Sequence, residues 1–406
     1  MACLRGMLES GAFFPRLQSL RLILAEDCLK LEDAADYQAI ASAAPWLTQL
    51  SVRPPAGATG LPRHMAALLS ACSKLEGLAL LPYKGLQLVD ITVLAAGTQL
   101  QHLEMRRCHA VSDLAPPAVM VNLQTLIISN SCLVSDLAPF GSIVELQSLN
   151  MSCCRVFDLA PRGSMVKLQS LNLSACSRVS DLAPLAGMVN LQQLMLGHCK
   201  GVSDLAPLAS MVNLQCLDMI YCERVFDLAP LGALVNMQTL IISNCRGVSD
   251  LSPLASMVKL QSLNLSYCER VSDLAPLASM VSLQTLDMSY CVCVSDLAPL
   301  GALVKLQKLH MRQCTAVYNL TPLAVLVNMQ TLSISHCEGV SNLAPLAAMV
   351  NLLTLNVSSC YAVSDLAPLG AMVKLQILDI GDCQMVSDLA PLATMVDIRS
   401  TSSGYD

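Results

Sequence analysis

The sequence predicts an α/β repeat solenoid, and three observations predict it. One aspartate-centred motif recurs at a nearly constant interval, each copy opens with a short apolar alternation, and each alternation is followed by a proline-containing apolar segment of different period. The marker aspartate of "SDL" falls at Asp113, Asp136, Asp158, Asp181, Asp204, Asp227, Asp250, Asp273 and Asp296, then as Asn319 and Asn342, then at Asp365 and Asp388. Every step is 23 residues except the 22 between Asp136 and Asp158. A fixed interval of this size marks a stack of repeats, because one such unit cannot bury its apolar side without neighbours.

Within a unit the elements follow in order. In "LQSLNLS" (260–266), Leu263 and Leu265 point to one face while Ser262, Asn264 and Ser266 point to the other, which is the pattern of a half-buried strand. "C-x-x-V-S-D" is a turn whose Ser272 and Asp273 suit capping. "L-A-P-L-A-x-M-V" has an early proline and apolar spacing of three to four, which predicts one turn of helix or a 3-10 segment.

The "LxxLxL" strand, repeated more than ten times, resembles the leucine-rich repeat. The "SDLAPLAxMVxLQ" half is similar to the internalin class, and the "LxLSxCxxVSD" half resembles the cysteine-containing repeats of F-box-type proteins; hybrids of the two occur in protist leucine-rich-repeat proteins. The resemblance implies a horseshoe with a parallel concave sheet and short helical or 3-10 convex segments. It covers residues 100–398 closely and 17–99 loosely.

Before residue 100 the strands "LQSLRL" (17–22), "LTQLSV" (47–52), "LEGLAL" (75–80) and "LQHLEM" (100–105) begin 30, 28 and 25 residues apart, with helices expected at 33–44 and 63–74. The expected organisation is therefore one continuous domain of two textures. Residues 1–99 are longer, degenerate repeats with convex helices, 100–398 hold about thirteen tandem 23-residue repeats, and 399–406 form a polar tail. The repeat pattern fades at Thr401 with no recognisable cap, so truncation, or self-association through the C-terminal edge, is expected.

Composition narrows the function. The chain is 54% hydrophobic and 13% charged, with a net charge of -6. That gives a continuous core but no basic field for nucleic acid or an anionic membrane. The most apolar stretch, 77–97, is interrupted by Pro82, Lys84 and Asp90, so no membrane span is predicted. The N-terminus lacks the form of a secretory leader, which points to the cytoplasm; family analogy adds the cilium or flagellum axoneme. No HExxH, GxGxxG or nucleophile elbow occurs, so a non-enzymatic protein without cofactor or metal is expected.

Nineteen cysteines need a separate reading. Counting five residues before each marker gives Cys108, Ser131, Cys153, Cys176, Cys199, Cys222, Cys245, Cys268, Cys291, Cys314, Cys337, Cys360 and Cys383, so twelve of thirteen positions are cysteine. A ladder sets ligands in a line rather than around a point, and parallel inward side chains have the wrong vectors for bridging. Buried structural thiols are expected, with the off-ladder Cys216 and Cys293 exposed and oxidisable.

Because core positions barely change between units, the variable outward positions are the candidate binding surface. Asp218, Tyr221, Glu223, Arg224, Tyr267, Glu269, Arg270, Asp287, Tyr290, His310 and Arg312 are the candidate partner-binding residues of the concave face. The function expected is a scaffold that binds a protein partner. The alternatives are the substrate-recognition part of an SCF-type ubiquitin ligase, which would require an adaptor-binding module upstream, and an internalin-like adhesin.

Overall fold

The computed structural model describes residues 14, 16–24, 34–54, 57–81, 88–131, 133–135, 138–160 and 165–393. Two compact units divide the chain, Met1–Cys199 and Lys200–Asp406. The first carries strands β1 (Ser19–Ile23), β2 (Gln49–Arg53), β3 (Gly77–Leu80), β4 (His102–Met105), β5 (Thr125–Ile127), β6 (Ser148–Asn150), β7 (Ser170–Asn172) and β8 (Gln193–Met195). Each pairs in parallel with the next in the chain. The second carries β9 (Cys216–Asp218), β10 (Thr239–Ile241), β11 (Ser262–Asn264), β12 (Thr285–Asp287), β13 (Lys308–His310), β14 (Thr331–Ser333), β15 (Thr354–Asn356) and β16 (Ile377–Asp379), paired in the same way. Chain order is spatial order within each unit, as a solenoid requires.

The two helices expected in the longer N-terminal repeats are present as α1 (Ala34–Ala43) and α2 (Met65–Ala71). Tyr37, Ile40, Ala41 and Ala44 are buried around the first, and Met65, Leu68, Leu69 and Cys72 around the second. Both sets follow the i, i+3, i+4, i+7 spacing of one helical face.

Elsewhere, among the described residues, Ala115–Ala118 is a single α-helical turn and Thr92–Ala96 a 3-10 turn without proline. From Ala138 onward the segments opposite the strands are 3-10 turns of at most five residues, with proline in the first turn, such as Ala275–Ser279. Its start is held by the marker residue: the Ala275 N–H donates to Asp273 Oδ1 at 2.8 Å. The same bond recurs at Asp181, Asp204, Asp227, Asp250, Asp296 and Asp365, and at Asn319 and Asn342 at 3.0 and 2.9 Å. The carboxylate or amide oxygen satisfies a backbone donor that the short helix leaves unpaired.

The core of one unit is Leu260, Leu263, Leu265, Cys268, Val271, Leu274, Leu277 and Met280, all essentially inaccessible. The spacing is two across the strand and three elsewhere, matching strand alternation and then the three-residue period of 3-10 structure. Each fully buried Leu or Met contributes about 1.5–3 kcal/mol relative to exposure, and the stack repeats this along the unit.

Three expectations are corrected. In the 22-residue step the inward thiol is Cys154, not Cys153: Cys154 is buried and bonds the Ile128 carbonyl, whereas Cys153 is exposed. The missing residue lies after the cysteine, so counting back from Asp158 lands one position early. Ser266, expected to face out, is buried, with its hydroxyl 2.7 Å from that of Ser243 and from Asn264 Oδ1. Cys216 is only half-exposed, while Cys293 is exposed as expected. The tail at 399–406, Cys132 and the C-terminal edge invoked for self-association lie outside the described residues.

Candidate functional site: the outer face of the strands

Each strand ends in the same turn. The Cys268 N–H donates to the Leu265 carbonyl at 3.0 Å, closing a four-residue turn whose third residue, Tyr267, has φ +61°. That left-handed conformation is what a type II turn demands of its third residue, and glycine meets the demand most cheaply. Thirteen successive rungs place a residue here with φ between 55° and 63°, from Arg107 to Asp382, and none of them is glycine. In the second unit the row is Tyr221, Asn244, Tyr267, Tyr290, Gln313, His336, Ser359 and Asp382.

The candidate residues divide by what they do. Asp218 and Asp287 are half-buried, and each spends one oxygen on the backbone: the N–H of Ile220 and of Ser289 donate to their Oδ1 at 2.9 Å. Asn150, Asn172, Asn264, Asn356 and Asp379 make the same bond, so this column is partly scaffold. Asp287 also lies beside His310 in the β12–β13 register. Glu223 pairs with Lys200 at 3.0 Å and Glu269 with Arg246 at 3.7 Å, both at exposed positions where such pairs contribute little. Arg224 and Arg270 are exposed, and among the described residues neither forms an ion pair.

The structure brings Tyr267 and Tyr290 together. Their rings stack with centroids 4.1 Å apart and planes 10° from parallel. The Tyr267 hydroxyl is held above the usual phenol range, first by a hydrogen bond with Tyr290, then by desolvation and by the phenols of Tyr290 and Tyr221; Arg312 acts in the opposite sense. Three of the candidates, Tyr221, Tyr290 and Arg312, are therefore within electrostatic reach of a fourth, Tyr267. Asn244, which stands between Tyr221 and Tyr267 in the row, is buried.

Beneath this face lie the thiols. Cys245, Cys268, Cys291, Cys314, Cys337, Cys360 and Cys383 each donate to a carbonyl of the preceding rung at 3.1–3.4 Å. Burial pushes the Cys245, Cys337 and Cys360 thiols up to about 12, which keeps them protonated and able to donate. Among the described residues no cluster of His, Cys, Asp or Glu could hold a metal ion.

Sequence reasoning missed three exposed aromatics on the turn that follows the ladder. Phe157, Phe226 and Tyr318 replace the serine of "VSD" and are 57%, 64% and 67% exposed. The signal was their departure from the repeat. One rung on, the Arg178 guanidinium stacks over Phe157 at 5.8 Å, while Gly247 and Gly339 leave room beside Phe226 and Tyr318. A Cβ at Gly247 would meet Phe226 Cβ at 3.1 Å.

The repeat geometry has counterparts. A sequence profile for leucine-rich repeats, in two copies, matches residues 235–279. These are leucine-rich repeats. Among solved structures, a leucine-rich-repeat protein of Leptospira interrogans is similar over 98% of this chain and 98% of its own, with a TM-score of 0.70 and 15% identity. An internalin (inlF) from Listeria monocytogenes is similar over 92% of this chain and 89% of its own, with a TM-score of 0.56 and 19% identity. The functional domain of InlJ from Listeria monocytogenes, which includes a cysteine ladder, covers 77% of this chain and 64% of its own at a TM-score of 0.58 and 14% identity. At such identities the likeness is one of fold. No curated protein sequence matches the chain. Among the described residues no helix is long and apolar enough to cross a membrane.

Proposed function

We propose that the protein is a non-enzymatic scaffold that binds a protein partner on the outer face of its leucine-rich-repeat strands, around Tyr221, Tyr267, Tyr290, His310 and Arg312. One observation carries this reading: thirteen left-handed turn positions all keep a side chain where glycine would relieve the backbone, and the row includes a stacked tyrosine pair. Strain retained at so many positions, all but Asn244 and Ser359 at least partly exposed, is consistent with a use for the side chains. Tyrosine and arginine are the side chains most often found to dominate interface energies. A cytosolic setting belongs to the same proposal, since a reducing compartment keeps the ladder thiols as donors.

The second reading is an internalin-like adhesin. It is favoured by the "DLAPL" half of each unit, and the cysteine ladder of InlJ removes the thiols as an argument against it.

The test is capture from native lysate with the full chain beside a Tyr221→Ala, Tyr290→Ala, Arg312→Ala variant of matched melting temperature, read by mass spectrometry. Asp287 is left intact because its carboxylate supports the Ser289 turn. A partner lost only by the variant supports the scaffold reading. Identical captures from both overturn the assignment to this face.

A further inference from the structure

A second surface lies where the convex segments turn back into the strands. A groove of about 500 Å³ there is lined by Gln284, Lys305, Gln307, Asn328, Gln330, Asn351, Leu353 and Lys374. It shares no residue with the tyrosine row. Two lysines line it and no carboxylate does, although the chain as a whole carries a net charge of -6. Lys308, exposed, follows Gln307 directly. The carboxylates of these units sit elsewhere, on the strands at Asp287 and Asp379 and in the turns that follow the ladder at Asp296, Glu338 and Asp365.

The groups in the groove are available. Among the described residues the side-chain amides of Gln284, Gln307 and Gln330 and the ammonium of Lys305 have no partner. The Lys374 ammonium donates to Asn351 Oδ1 at 2.7 Å, an exposed bond that a carboxylate can replace. Asn328 and Asn351 are fixed by donating to the Val304 and Val327 carbonyls, which makes the floor rigid.

Spacing selects the ligand. Lys305 and Lys374 stand three rungs apart, which at about 4.8 Å per rung is about 14 Å. An extended peptide rises about 3.4 Å per residue, so residues four apart span the same length and point to the same side. We propose that this groove binds an extended acidic segment of a partner protein, with carboxylates four residues apart on Lys305 and Lys374 and its backbone on the amides of Gln307 and Gln330. A nucleic acid fits less well, because its affinity depends on many phosphate contacts and this edge offers few cations.

The test uses a fluorescein-labelled peptide, Ser-Glu-Thr-Ser-Thr-Glu-Ser, in fluorescence polarisation at low salt against the full chain. Two exposed ion pairs shift affinity by about two- to thirtyfold. Lys305→Gln with Lys374→Gln therefore weakens binding within that range, and a peptide with its glutamates two residues apart, which reaches only one of the lysines, is weakened by about one- to fivefold. A Tyr267→Ala, Tyr290→Ala variant binds the peptide as the parent does, so this result is independent of the strand-face reading. The proposal is overturned if the parent does not bind, if the lysine variant binds equally well, or if a single-stranded oligonucleotide of equal charge binds more tightly through the same lysines.

Discussion

Tyr267 and Tyr290 lie ring on ring, 4.1 Å between centroids, each at the left-handed residue of its own turn. The backbone conformation positions the stack. It swings both side chains to the same side of adjacent rungs, at a separation set by the parallel register. Such a pair is worth about 0.5–1.5 kcal/mol beyond its buried area. A double-mutant cycle with Tyr267→Ala and Tyr290→Ala, read by urea unfolding, should return a coupling in that range. Alanine keeps the strain of positive φ at both sites, so the strain cancels and the coupling reports the rings alone. A coupling near zero would mean the stack does not persist in solution.

The same row predicts a gain from glycine where no side-chain contact is at stake. Ala175 has φ +59° and is half-exposed. Ala175→Gly removes the Cβ clash but raises the entropy of the unfolded chain, leaving a net stabilisation of about 0.5–1 kcal/mol. Differential scanning calorimetry should show a higher midpoint. Tyr267→Gly should gain less, because it also loses the stack.

The marker residues supply their own control. Asp273 and Asn342 make the same bond to the backbone of the 3-10 turn, at 2.8 and 2.9 Å. Asp273→Asn should therefore be nearly neutral, and Asp273→Ala should cost about 1 kcal/mol. Equal destabilisation by both would show that charge, not the oxygen acceptor, matters at this cap.

Strands, caps and the 3-10 period were legible because each is a local pattern copied many times. Asp273 beside a proline-containing segment announces its cap, and Leu263 and Leu265 announce their face. What stayed hidden was conformational. No glycine marks the turn at Tyr267, so neither the left-handed row nor the tyrosine stack could be read from residue types. Asp218 and Asp287 looked variable and therefore available, yet an oxygen of each is committed to a turn. Cys153 was placed in the ladder because a count taken from the aspartate cannot tell on which side of the cysteine a residue is missing.

Ser131 offers a test of the ladder itself. It takes the cysteine position of its rung, is fully buried, and its hydroxyl has no partner among the described residues. In the next rung the thiol reaches a carbonyl 26 residues back, as Cys154 reaches Ile128. Ser131→Cys places the larger, less polar group where that bond can form, and should stabilise the protein by about 1 kcal/mol. A urea midpoint at or below that of the parent would count against the thiol as the better fit.

Protonation of the ladder predicts how stability changes with alkali. In the unfolded chain these thiols ionise near their ordinary value of 9.0, while burial pushes Cys245, Cys337 and Cys360 up to about 12. Between those values the folded protein keeps protons that the unfolded chain gives up. The stabilisation is therefore complete below pH 9 and is lost as pH rises towards 12, by up to about 1.4 kcal/mol per pH unit for each thiol. Urea midpoints should fall steeply from pH 8.5 to 10.5. Tyrosines and lysines titrate in the same window, so the difference between slopes carries the prediction, not the slope itself. Replacing Cys245, Cys337 and Cys360 with alanine should lower stability at pH 7 yet flatten the alkaline decline. Thiol reagents at pH 7.5 should meanwhile label the exposed Cys153 and Cys293 quickly and these ladder cysteines only on unfolding. If the triple variant declines as steeply as the parent, ionisation of the ladder is not what limits the fold in alkali.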